Sequence, residues 1–69
     1  MMRHRYKFIQ AHTLSYGGNA IMETVVFRIE SMNEMSDAFL NKVKSDYFGD
    51  DPWVRIIKDS YEITDLQPA

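Results

Sequence analysis

Two segments of alternating character meet at a glycine pair. "RYKFIQAHTL" (5–14) and "AIMETVVFRIE" (20–30) flank "SYGGN", with Gly17 and Gly18 at its centre. A phosphate cradle would need backbone N–H groups converging on an anion and a helix opening directly behind the glycines. The residues after the pair are instead rich in Val, Ile and Phe, which favour strands. The pair therefore reads as the two central residues of a tight hairpin turn, where glycine takes positive φ at little cost.

With that turn, opposed positions sum to 35. Leu14 then faces Ile21, His12 faces Glu23, Gln10 faces Val25, Phe8 faces Phe27 and Tyr6 faces Ile29, collecting most large apolar groups on one face. The other face pairs Thr13 with Met22, Ala11 with Thr24, Ile9 with Val26, Lys7 with Arg28 and Arg5 with Glu30. A slip of one residue would mix the two sets, so the pattern itself argues for this register.

Beyond the hairpin, "SMNEMSDAFLNKVKSDYFG" (31–49) carries an S-x-x-E arrangement at Ser31 and Glu34. Such a pair can satisfy two exposed N–H groups at a helix start. Gly49 is a natural stop. The spacing predicts a helix over 32–48, with Met32, Met35, Phe39, Leu40, Val43 and Tyr47 on an inward stripe and Glu34, Asp37, Asn41 and Lys44 facing away. Phe48 falls opposite the stripe; it is expected to tuck under the adjoining loop with Trp53, or else to face a partner. "DDPWVRIIKDSYEITDL" (50–66) opens with a turn, since proline disfavours helix in the residue before it, and becomes strand-like. Val54 and Ile56 share one face; Trp53, Arg55 and Ile57 share the other. At Lys58-Asp59-Ser60 the pattern allows a bulge, or a second turn before a short fourth strand in "YEIT".

The chain thus reads as a single α+β domain over residues 1–69. It is a β-β-α-β arrangement in which a three-stranded antiparallel sheet has one helix packed on one face, the smallest two-layer solution open to this pattern. The last strand is expected beside the first, in the order 2-1-3; the alternative is a right-handed crossover placing it parallel to the second. A domain of 69 residues buries only about 60% of the surface its unfolded chain exposes. With no cysteine, it has no disulfide or thiolate-bound metal to reinforce it. Self-association is the remaining aid, and a homodimer is expected.

The absence of cysteine also fits a reducing compartment, and no stretch has the length or apolarity of a signal peptide or membrane span. A cytoplasmic, non-membrane protein is expected. The net charge is -2, but it is unevenly spread. Residues 1–30 hold Arg3, Arg5, Lys7 and Arg28 against Glu23 and Glu30, while the remainder sets Lys42, Lys44, Arg55 and Lys58 against eight carboxylates. The hairpin is mildly basic and the rest acidic.

Chemistry finds little to use. There is no cysteine nucleophile and no serine in a G-x-S-x-G elbow. His12 opposite Glu23 is the one base-and-orienter pair, and it lacks a third group; a cross-strand pair near the sheet rim explains it without catalysis. His4, His12 and Glu23 match no compact metal motif, and Asp50-Asp51 before a proline lacks the alternating ligands of a calcium loop. No catalytic residue, metal or cofactor is expected.

Binding is the better prospect. On the outer sheet face Ile9, Ala11, Met22 and Val26 form an apolar band rimmed by Arg5, Lys7 and Arg28, the anatomy of a protein interface or of a dimer face. If the band is buried by a second copy, Glu34, Asp37, Asp50 and Asp51 are left as an acidic surface for a basic partner. The alternative is RNA or single-stranded DNA on the same basic face, which would also need exposed aromatics to stack bases. In the expected register Tyr6, Phe8 and Phe27 point inward, so protein binding ranks ahead.

The succession "RYKFIQAHTL", "GG", "ETVVFRIES", "MNEMSDAFLNKVKSDYFG" and "WVRIIKDSYEI" resembles the strand-strand-helix-strand accessory proteins of bacteriophages and mobile elements, over most of its length. Several of those, anti-CRISPR and other anti-defence proteins among them, bind and block host machinery. The resemblance implies an inhibitor of a host protein, in the host cytoplasm, with no particular target or binding residue attached.

Overall fold

The computed structural model describes residues 1–13 and 20–64, so the Gly17-Gly18 turn and the tail from Asp65 lie outside the described residues. Three strands and one helix come in the order β1 (Met2–Thr13), β2 (Ile21–Ser31), α1 (Asp37–Phe48) and β3 (Val54–Glu62). The strands form one antiparallel sheet in the order β2-β1-β3. This is the expected α+β architecture, with the last strand beside the first.

β1 and β2 keep the register summing to 35 from His4–Ser31 through Phe8–Phe27, then step by one residue so that Ile9 faces Val25 and Ala11 faces Glu23. An extra residue in β2 makes this step, a bulge that sets Val25 and Val26 against Ile9 alone. The consequence is chemical as well as geometric. Gln10 now faces Thr24 rather than Val25, and its amide donates to Asp51 Oδ2 at 2.9 Å.

β3 runs unbroken to Glu62 and pairs with β1 in constant register from Gln10–Val54 to Met2–Glu62. Neither the bulge near Lys58 nor a separate fourth strand forms. The ladder continues beyond both ends, with Ile63 N donating to Met1 O at 2.8 Å and Ala11 N to Trp53 O at 2.9 Å. Continuous pairing satisfies backbone groups that a second turn would leave to water, which favours one long strand.

The helix begins at Asp37, five residues later than the Ser31–Glu34 spacing predicts. Ser31 remains in β2 opposite His4, and its Oγ accepts from Asn33 N at 3.1 Å. Ser36 is the N-cap, accepting from Phe39 N at 3.2 Å, with Asp37 placed in the first turn where the helix dipole favours an anion. The approach to the cap is pinned by Met35 N donating to the Tyr6 hydroxyl at 2.8 Å. Gly49 ends the helix as predicted, at φ 64, with its N–H on Ser45 O.

The core is thin. Tyr6, Phe8 and Leu40 are its buried centre, and Phe27, Ile29, Met35, Val43, Phe48 and Ile56 pack around them. Phe48 is therefore a core residue, not a loop tuck: its ring lies 5.8 Å from Phe27 and 6.4 Å from Phe8, and Phe8 stacks on Phe27 at 4.5 Å. Starting the helix at Asp37 takes Met32 and Met35 off it. Phe39 and Tyr47 stay about half and three-quarters exposed, at 47% and 73%, although the Tyr47 ring leans on Phe27.

Candidate functional site

One face of the sheet carries α1. The other carries no element among the described residues. β1 has no bulge against β3, so its side chains alternate strictly: Tyr6, Phe8 and Gln10 face the helix, and Arg5, Lys7, Ile9 and Ala11 face out. Cross-strand partners share a face. The outer surface is thus a grid of rows running β2, β1, β3: Glu30, Arg5, Asp59; Arg28, Lys7, Ile57; Val25 and Val26, Ile9, Arg55; then Glu23 beside Ala11.

The apolar centre is Ile9 with Val25, Val26 and Ile57. Ile9 is 7% exposed, whereas Val25 and Val26 are 47% and 48% exposed. Shelter for Ile9 comes from within its own face. Arg55 sits beside Ile9 on β3 and Glu23 beside Ala11 on β2, yet their side chains meet at 2.7 Å, so the ion pair straddles β1.

Charge is arranged in two different ways around this centre. Arg5 is held by its neighbours: it bonds Asp59 and lies 5.2 Å from the Tyr61 ring centroid, while the Tyr61 hydroxyl donates to Glu30 at 3.1 Å. The bond from Arg5 holds the Asp59 carboxyl below the usual range, against a smaller opposing effect of desolvation. Lys7 and Arg28 instead face one another directly, and neither has an ion-pair partner among the described residues. Two like charges in register destabilise a sheet.

Of the predicted face residues, Arg5, Lys7, Ile9 and Arg28 take their places as read. Val26 does so as the bulge residue. Met22 does not: the register step sets it opposite His12, on the helix side, and Val25 takes the outer position. The same step dissolves the His12–Glu23 pair, since Glu23 now faces Ala11 and bonds Arg55. Among the described residues no three His, Asp or Glu side chains gather as a metal-binding group.

The acidic residues do not form one surface. Asp37 opens the helix and bonds Lys58, whereas Asp50 and Asp51 come after its end, roughly 18 Å away along a helix of 12 residues. Glu34 lines a recess of about 250 Å³ with His4, Tyr6, Lys58, Asp59 and Ser60. Asp51 is structural, accepting from Trp53 N and from Gln10, both at 2.9 Å. Those two bonds, that from Trp53 first, depress its pKa.

Tyr61, Asp59, Ile57 and Val25 complete the face and were not among the predicted site residues. Ile57 was legible from its alternation with Arg55. Comparison with protein-family models, with curated proteins and with solved structures gave no match. Among the described residues no helix is long and apolar enough to cross a membrane.

Proposed function

We propose that the chain is a non-enzymatic protein-binding module of the cytoplasm that assembles as a homodimer and works by occupying the surface of another protein. The observation that carries this reading is the uncovered sheet face. Its centre of Ile9, Val25, Val26 and Ile57 is apolar, and the rim of Arg5, Lys7, Arg28, Glu23 and Glu30 is charged on both signs. Specific interfaces share that anatomy. The resemblance to phage accessory proteins gives the reading its specific form, an inhibitor of host defence machinery of the anti-CRISPR or a related kind. In such a dimer the exposed Phe39 and Tyr47 on α1 are available to the host protein.

A second reading, RNA or single-stranded DNA binding on the same face, is favoured by two observations. Lys7 and Arg28 stand together without carboxylate partners among the described residues, and Tyr61 lies on that face under Arg5. Among the described residues the aromatic rings on that face are Tyr61 beside Arg5 and Trp53 beside Ala11. They lie toward opposite ends of β3 and do not form the adjacent platform on which sheet readers stack successive bases. Affinity capture of the tagged chain from bacterial lysate, with and without nuclease, separates the two. A discrete protein retained after nuclease supports the inhibitor; enrichment abolished by nuclease supports the second reading and ends the first.

A further inference from the structure

We propose that the occupant of the outer sheet face is a second copy of this chain, seated about a two-fold axis that runs across the strands through the Ile9 row. This rests on the protein-binding reading above and specifies its first partner.

Surface area is the first support. A compact monomer of 8.1 kDa exposes about 4,500 Å², whereas this chain exposes 5435 Å². The surplus, on the order of 900 Å², is close to the roughly 800 Å² that each partner buries in a standard stable interface. The radius of gyration agrees, at 15.7 Å against about 11 Å for a compact domain of this length. A flat molecule with one bare sheet face becomes compact when that face is doubled.

Charge selects the axis. Two stacked sheets related by a two-fold along the strands would lay each row on itself, with Lys7 over Lys7 and Glu30 over Asp59 of the other copy. A two-fold across the strands lays the row above Ile9 on the row below it. Arg28 then meets Glu23 of the other copy, and Glu23 meets its Arg28; Lys7 lies over Ala11. Each Glu23 accepts from its own Arg55 and from the other copy's Arg28, and the cation that opposes Lys7 within the monomer gains a counter-charge. Ile9, Val25 and Val26 lie at the axis and are covered by their own counterparts, the self-complementary contact that a two-fold requires. Arg55 of the same row also meets its counterpart, but each is already bonded to its own Glu23. This axis therefore stacks one like-charged pair where the other stacks Lys7 on Lys7, Arg5 on Arg5 and Glu30 on Asp59.

Sedimentation velocity over a wide concentration range tests this with the intact chain. The unaltered protein is expected to dimerise and Val26→Arg to leave a folded monomer. Arg28→Glu and Glu23→Arg are each expected to raise the dimer dissociation constant at least about tenfold, and the triple reversal with Arg55→Glu, which inverts the whole Arg28–Glu23–Arg55 network, to bring it back within about threefold. Glu23→Gln, which removes Arg55's partner without adding a cation, together with circular dichroism, separates loss of dimer from loss of fold. A monomer at every concentration overturns the proposal, while lysate capture still judges protein binding. A dimer indifferent to Val26→Arg also overturns it, as does a Val26-sensitive dimer that the triple reversal fails to rescue. Titration with single-stranded RNA in the same cell finds the remaining occupant: an RNA complex of a monomer, lost in Arg28→Glu, assigns the face to nucleic acid and removes the second copy.

Discussion

Leu40 shows how little each residue can be spared. It is 1% exposed and forms one buried cluster with Tyr6 and Phe8, Val54 being buried as well. A domain of 69 residues has a stability of about 3 to 10 kcal/mol, and a buried Leu→Ala change removes about 2 to 5 kcal/mol. Leu40→Ala should therefore lower the urea midpoint by at least about a fifth of its value, and unfold the chain without denaturant if the total stability lies at the lower end of that range. Two surface carboxylates set the acid limit. Asp51 and Asp59 have folded pKa values depressed by the bonds from Trp53 and Gln10 and from Arg5, so their contribution is complete above the unfolded carboxylate value of about 3.9 and is lost as pH falls through the folded values. The melting temperature is expected to be flat from neutral pH to about 5 and to drop below about 4. Asp51→Asn with Asp59→Asn should flatten that drop.

At the level of elements, the serines of the β2–α1 connection give the cleanest contrast. Ser36→Ala should cost about 1 kcal/mol by removing the cap on Phe39 N. Ser31→Ala should cost distinctly less in the same denaturation curves, because its Oγ serves only Asn33 N within the turn. Equal losses would return the helix start to Ser31. The sequence offers both serines with suitable followers, and the choice between them is tertiary: the pairing of His4 with Ser31 and the bond from Met35 N to the Tyr6 hydroxyl. Strand phases on β1 were legible because aromatic and charged residues alternate from Arg5 to Phe8. The register step was not, since Val25 and Val26 are the same residue and an extra one leaves no mark in the pattern. The same lack of contrast hid Asp59 and Tyr61, which stand in "KDSYE", polar on both faces. Arg5, Lys7, Ile9 and Arg28 were readable as a face because they lie in the unshifted half of the hairpin or on the unbroken strand.

For the whole molecule, the proposed dimer would tie stability to concentration. A dimer closed over that face makes the melting temperature rise with protein concentration, as any association confined to the folded state must. The bulge in β2 bears on a hazard of a different kind. β2 is an edge strand of 11 residues, and its unbonded side is a template on which another strand can grow. Edge strands in soluble proteins are commonly blunted by a kink, a charge or a bulge, because a straight edge recruits neighbour after neighbour into a fibre. Here the extra residue at Val26 breaks the line in the middle of the edge, between two stretches too short to nucleate easily. Deleting Val26 would straighten it, and the shortened chain is expected to bind thioflavin and sediment as fibrils under conditions where the parent stays clear. A parent and deletion variant with equal solubility would mean that the charges of Glu23, Arg28 and Glu30 guard the edge unaided. If the deletion variant forms fibrils, the residue that bends the hairpin marks the boundary between the proposed assembly that stops at two and one that has no natural end.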